Sequence, residues 1–317
     1  MTYANLIAGL IYLLVGGDLL VRGAVAAARR GRIPPAIVAA TVVALGTSIP
    51  ELVVALRASL SGYPDLVLGN VVGSNAANVL LVAGVTAVLF PLAPGRGPLR
   101  RDALLMVGAT AFFVAICAFG AIGSGAGFAL LAALVLVWGV TARGAVQDYQ
   151  AAEPVTIEWV LGLPSRVPMI VLFVGAGAVG LPLGARMVVD SAIEIAVRFG
   201  LSEAVVGLTI VALSTSLPEL ATTLVAGFQG RAGVAVGAIL GSNVFNVLGI
   251  MGVAAVASAG PLEVPAGFMA FDVPVMVGAS MVLAAFVVLR RPIGRRTGII
   301  LSLGYVAYIS AVLLGGS

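Results

Sequence analysis

Ala44-Leu45-Gly46-Thr47-Ser48-Ile49-Pro50-Glu51-Leu52 decides how this chain folds, because the chain writes it twice. The second copy reads Ala212-Leu213-Ser214-Thr215-Ser216-Leu217-Pro218-Glu219-Leu220. Each copy is followed at the same distance by another motif, Gly73-Ser74-Asn75-Ala76-Ala77-Asn78 or Gly241-Ser242-Asn243-Val244-Phe245-Asn246, and matched residues lie 168 positions apart. These motifs place carboxylates, hydroxyls, amides and a proline inside otherwise hydrocarbon segments. Polar groups are expensive in a bilayer, so their recurrence demands a reason.

The surroundings are those of a membrane protein. The chain is 61% hydrophobic and 9% charged, with mean hydropathy +1.17. Runs of about twenty apolar residues recur along its length, the span of a bilayer-crossing helix. The runs are continuous rather than alternating, which excludes a β-barrel. All 17 basic residues are arginine. The net charge of +4 therefore reads as topology rather than as a nucleic-acid surface. A single cysteine, Cys117, excludes an internal disulfide and a cysteine-cluster metal site. With no histidine either, oxygen is the abundant ligand atom, which suits hard cations rather than zinc, copper or haem. No cofactor is expected. The N-terminal apolar stretch lacks a basic leader and a small-residue cleavage site, and reads as a first span rather than a removed signal peptide.

Ten spans are expected, near 4–28, 36–61, 66–90, 101–119, 124–143, 167–196, 203–228, 232–257, 268–289 and 297–315. With loops assigned alternately to two sides, 13 of the 17 arginines fall on one side, among them Arg29, Arg30, Arg100, Arg101, Arg290 and Arg291. By the positive-inside rule that side is cytoplasmic and both termini lie outside. Five spans per half means that the second half enters the membrane in the opposite sense. The expected fold is an all-α membrane protein of ten transmembrane helices in two inverted five-helix repeats, 1–143 and 167–317, joined by a cytoplasmic linker at 144–166. Inverted repeats with interrupted helices are a transporter architecture, with the site at the repeat interface.

Glu51 lies about fourteen residues into the second span, near mid-bilayer at about 1.5 Å of rise per residue. Glu219 lies at matching depth. An ionised carboxylate there costs roughly 2.5–3.5 kcal/mol or more. With no Lys or His in the chain, and with Arg22 and Arg186 near acids of their own, a cation or a proton is the partner left. Pro50 and Pro218 free the carbonyls of Gly46 and Ser214 and kink their helices. Helical spacing gathers Ala44, Thr47, Ser48 and Glu51 on one side, and Ala212, Thr215, Ser216 and Glu219 on the other. Ser74 and Asn78, like Ser242 and Asn246, sit one turn apart and line the same site. Asn75 and Asn243, on a rotated face, are expected to bond between helices, and Thr41 and Thr209 to bond back to their own helices. Gly73 and Gly241 are read as points of close helix approach. Asp18 with Arg22, Arg186 with Asp190, and Glu194 with Arg198 read as i,i+4 ion pairs.

At these residues the chain resembles the cation/Ca2+ exchanger superfamily, and most nearly its prokaryotic Na+/Ca2+ exchangers. The likeness rests on both Ser/Gly-Thr-Ser-x-Pro-Glu and both Gly-Ser-Asn-x-x-Asn segments. It implies an antiporter with four adjacent ion positions. Glu51 and Glu219 are then shared by Ca2+ and Na+, and the backbone oxygens of Thr47 and Thr215 complete the Ca2+ position. Ser48, Ser74 and the Ala44 carbonyl form one Na+ position, with Ser216, Ser242 and the Ala212 carbonyl as its twin. Asn78 and Asn246 line the middle, and the first and sixth spans slide across the rest. Asn246 stands where several relatives carry Asp, which argues against K+ co-transport.

The expected function is Na+/Ca2+ exchange across the cell inner membrane, with Ca2+/H+ antiport and a cation channel as rivals. Ca2+, Na+ and the bilayer are the expected partners, with no nucleic acid and no obligate protein partner. An enzyme is not expected, since no Ser/His dyad or paired-Asp motif exists.

Overall fold

The computed structural model describes residues 2–33, 35–93, 99–151, 163–198 and 215–315. Among them the chain is almost wholly helical. Helix α1 spans Thr2–Gly31; a short turn, Pro35–Val38, leads into α2 (Ala39–Thr47) and α3 (Ile49–Leu60). Then come α4 (Pro64–Leu89), α5 (Leu99–Cys117), α6 (Ser124–Ala151), α7 (Val167–Arg198), α8 (Leu217–Phe228), α9 (Ala232–Ala257), α10 (Ala266–Val288) and α11 (Arg295–Gly315). Seven of the described helices are long and apolar enough to cross a bilayer, or eight with the bent pair α2–α3 taken as one span. This is a multi-pass membrane protein.

The duplicated sequence yields duplicated elements. Shifting α3 by 168 residues gives the bounds of α8, and shifting α4 gives those of α9. Helix α6 departs from expectation: it runs on to Ala151, into the stretch read as linker, while residues 152–162 lie outside the described part. The first half of the seventh span also lies outside it, with Ala212, Ser214 and Thr209.

Helix α9 is the centre of the bundle, buried along its whole apolar length. Helices α1 and α7 lie against each other antiparallel on a seam of small residues. A Cβ on Gly177 would stand 2.7 Å from the Gly16 carbonyl oxygen, and one on Gly184 would stand 2.8 Å from that of Gly9. Only glycine lets two backbones approach so closely. This pair also packs on the site: Gly46 of α2 faces Leu20 of α1 and Ala178 of α7, and Gly17 of α1 faces the Ala221 carbonyl of α8.

Backbone contacts tie the connections together. Strand β1 (Ala121–Ile122), between α5 and α6, pairs antiparallel with β2 (Leu262–Glu263), between α9 and α10. Leu92, between α4 and α5, and Ile293, between α10 and α11, exchange two bonds of 3.0 Å. Two acids pin neighbouring helices, Asp102 buried and Asp272 half-buried. Asp102 accepts from the Thr141 hydroxyl at 3.2 Å, joining α5 to α6, and Asp272 accepts from the Tyr308 hydroxyl at 2.7 Å, joining α10 to α11. The expected ion pairs are present: Arg22 to Asp18 at 2.7 Å, Arg186 to Asp190 at 3.6 Å, and Arg198 with Glu194.

Candidate ion-binding site

Proline places both carboxylates. At Ser48 the second span bends by 54° between α2 and α3. Ser48 has φ −88° and ψ 10°, off the helical track, and Pro50 follows in the first turn of α3. Ser216 holds the same place before α8, at φ −84° and ψ −2°, within the helical region, with Pro218 in the first turn. Pro50 has no N–H, so the Gly46 carbonyl loses its helical donor. Each Glu therefore lies in the first turn of a new helix, three residues after a break, and both side chains are buried, Glu51 to 1% exposure and Glu219 to 4%.

Local winding places the amides. The backbone widens into π-helix at Ala39–Val43, just before the first motif, at Asn78–Ala83 and at Phe245–Ile250, which holds Asn246. Such bulges turn a helix face without ending the helix, and they gather at functional sites. Gly241 is a point of close approach as expected, since any Cβ there would collide with the Ala40 carbonyl. Gly73 is not: a Cβ there meets nothing within 4 Å, so open space rather than a partner helix lies beside it.

The two repeats meet at their equivalent residues. Asn75 donates to the backbone carbonyl of Asn243, its own counterpart 168 residues on, at 3.1 Å. Around it runs a chain of bonds. The Asn78 amide donates to the Ser242 hydroxyl and to the Asn243 side-chain oxygen, both at 3.0 Å. The Ser242 and Ser48 hydroxyls are 2.9 Å apart, and Ser48 donates to Glu219 at 3.2 Å. A hydroxyl has one hydrogen, and that of Ser48 goes to Glu219, so Ser242 is the donor to Ser48. All the hydrogens of the chain thus point from Asn78 towards the Glu219 carboxylate.

The atoms at the equivalent sequence positions make no such chain. Glu51 Oε2, Ser216 Oγ, Asn75 Oδ1 and both amide atoms of Asn246 are buried without a hydrogen-bond partner, as is Glu219 Oε2. Buried polar atoms are nearly always satisfied, and each exception calls for an explanation. Ser74 donates to the Asn70 carbonyl at 2.6 Å. Thr47 donates to the Ala44 carbonyl at 3.3 Å, Thr215 is half-buried, and Ala44 is buried. Of the residues expected to form the site, Ser48, Glu219, Ser242 and Asn78 are joined directly, while Glu51, Ser216 and Asn246 present unpaired atoms. Ala212 lies outside the described residues. Thr41 bonds back to the Ile37 carbonyl at 3.0 Å, as read from sequence.

Four residues around the site were not foreseen. Asn70 donates to the Glu51 backbone carbonyl at 3.0 Å. Thr223 donates to the Glu219 carbonyl at 2.9 Å and meets Thr86 of α4 at 3.1 Å; Thr222 donates to the Pro218 carbonyl at 2.7 Å. Their repeat-equivalents are Ala238, Ala55, Ala254 and Val54, so a search for duplicated residues passes over them. A search for polar residues inside apolar spans would have found all of them.

A helical membrane protein that buries two carboxylates among hydroxyl and amide oxygens at paired helix breaks has the build of a secondary ion transporter. Comparison with known proteins agrees. The family model described as sodium/calcium exchanger protein matches residues 1–142 and 169–314, and the chain belongs to that family. It is 34% identical over 311 residues to the inner membrane protein YrbG of Escherichia coli, covering 97% of this chain and 95% of that one. It is 30% identical over 349 residues to the sodium/calcium exchanger MaX1 of Methanosarcina acetivorans, covering 98% and 97%. Among solved structures it resembles the sodium-calcium exchanger NCX_Mj soaked with Na+ and Sr2+, with a TM-score of 0.82, 29% identity and coverage of 98% and 97%.

Proposed function

We propose that this protein is a Na+-driven Ca2+ antiporter of the cell inner membrane. Its Ca2+ and Na+ ions share Glu51 and Glu219. One observation carries the reading: two buried carboxylates keep unpaired oxygens in a chain with no Lys or His to neutralise them. One Ca2+ balances both charges, and carboxylate, hydroxyl, amide and carbonyl oxygens are its preferred ligands. Na+ ions use the same oxygens but not beside Ca2+, and this mutual exclusion is what makes an exchanger. The ion-free site carries two uncompensated charges, which oppose its crossing the membrane alone.

The ten-span inverted repeat, with domains 1–143 and 167–317 and the connection 144–166 between them, is part of the proposal. It is supported by the 168-residue register of α3 with α8 and α4 with α9, and by the antiparallel run of α1 and α7. The paired connections agree: β1 with β2 and Leu92 with Ile293 each join loops that ten alternating spans put on one side. The arginine distribution makes the Leu92–Ile293 side cytoplasmic and puts both termini outside.

The lopsided bonding supports alternating access. Glu219, Ser48, Asn78 and Asn243 hold the bonds that their equivalents Glu51, Ser216, Asn246 and Asn75 lack. Exchange of roles between the repeats gives the opposite-facing state: Ser216 then donates to Glu51, and Asn246 to Asn75. Movement of α1 and α7 over Gly46 and Ala221 links that exchange to the membrane faces. Glu51→Gln and Glu219→Gln test the reading in reconstituted vesicles. Each is expected to abolish Ca2+ exchange while thermal stability holds; full exchange by both variants contradicts it.

A further inference from the structure

Asn70 stands one turn before Ser74 on α4 and touches the site twice. Its amide nitrogen donates to the Glu51 carbonyl at 3.0 Å, and its own carbonyl accepts from the Ser74 hydroxyl at 2.6 Å. Glu51 and Ser74 are buried, whereas Asn70 is half-exposed. It therefore lies between the buried site and the surface of the protein. There is room beside it: a Cβ on Gly69 or Gly73 meets nothing within 4 Å. Five residues earlier, about 7.5 Å along the helix axis, exposed Asp65 lines an open recess of about 440 Å³ with Tyr63 and Leu66. The bond to Glu51 uses the amide nitrogen and leaves the amide oxygen, a neutral hard ligand.

The second repeat has no such feature. The equivalent of Asn70 is buried Ala238, and the equivalent of Gly73 is Gly241, closed by the Ala40 carbonyl. We infer that Asn70 is a gateway ligand of the ion site on the membrane face that holds the Pro64 end of α4. Its amide oxygen takes a partly dehydrated cation from the Asp65 recess and passes it to Glu51 and Ser74. Ala238 cannot do this on the other face, so the two faces of the transporter differ in apparent affinity.

This inference rests on the transport reading above and is tested in vesicles by measuring Ca2+ uptake as a function of Ca2+ on each face. Asn70→Ala is expected to raise the half-saturating Ca2+ concentration about tenfold on the Pro64 face, the effect of roughly one lost ligand. The shift on the opposite face is expected to be several-fold smaller. Asn70→Asp keeps an oxygen but loses the donor to the Glu51 carbonyl, and is expected to restore the wild-type value. Asn70→Ser replaces the alanine variant if that protein is not recovered. Equal shifts on both faces, no shift, or an aspartate variant that behaves like alanine each overturn the inference, the last by assigning Asn70 to bracing Glu51. Failure of wild-type protein to exchange overturns the transport reading first; normal exchange with an indifferent Asn70 overturns this inference alone.

Discussion

Asn78 and Asn246 occupy equivalent positions and differ in every bond. Asn78 has two partners, Ser242 and Asn243, and Asn246 has none. Removing Asn78 leaves the buried Asn243 oxygen unsatisfied, a loss of about 1–3 kcal/mol. Asn246→Ala removes atoms that are already unpaired and is expected to cost less than about 1 kcal/mol. Thermal unfolding of the two variants without ions checks the difference; equal losses contradict the one-sided network. Sequence made the candidate residues legible because they repeat, but not which copy would be bonded. That depends on the conformation, and identical motifs carry no record of it. Protons compete for the same carboxylates. Lowering pH is therefore expected to raise the Ca2+ concentration needed for half-maximal transport, and Glu51→Gln is expected to blunt that dependence in whatever Ca2+ binding remains, measured by calorimetry.

At the scale of elements, the seam between α1 and α7 is where motion and packing meet. Gly9, Gly16, Gly177 and Gly184 let two smooth backbones lie in contact, and side chains that interlock are absent from these positions. Gly177→Leu is expected to separate the helices or jam them against Leu20, slowing exchange at least tenfold while ion binding in detergent persists. Loss of binding and transport together would instead make the seam a structural support of the site. The ends of most described helices lie within about three residues of the expected bounds, since hydropathy and proline mark them; α6, which runs on to Ala151, does not. The three π-helical segments were not legible. They add a residue to a turn without any special residue type, and only the packed helices around Asn78 and Asn246 reveal them. Gly73 was misread for a related reason: its match to Gly241 in sequence does not extend to its neighbours, and α4 faces open space where α9 faces Ala40.

For the whole molecule, the proposed topology makes a mapping experiment decisive. With Cys117 replaced by Ala, a cysteine at exposed Ser61 is expected to react with an impermeant maleimide from outside the cell. One at Arg291 is expected to react only after the membrane is opened. Labelling of both from one side contradicts the alternating assignment. The proposed arrangement rests on the arginine bias and on an odd number of spans per repeat, both read from the sequence. The connections that close each side, β1 with β2 and Leu92 with Ile293, were not legible there, because two-residue pairings carry no pattern of their own. The central claim is that Na+ and Ca2+ exclude each other at Glu51 and Glu219. The most direct measurement is 45Ca2+ uptake into vesicles of the purified protein under a Na+ gradient alone and then under a pH gradient alone. Uptake under the Na+ gradient that collapses when it is removed, with none under the pH gradient, is the expected result. Uptake driven by the pH gradient with no Na+ present contradicts the account and makes the protein a Ca2+/H+ antiporter.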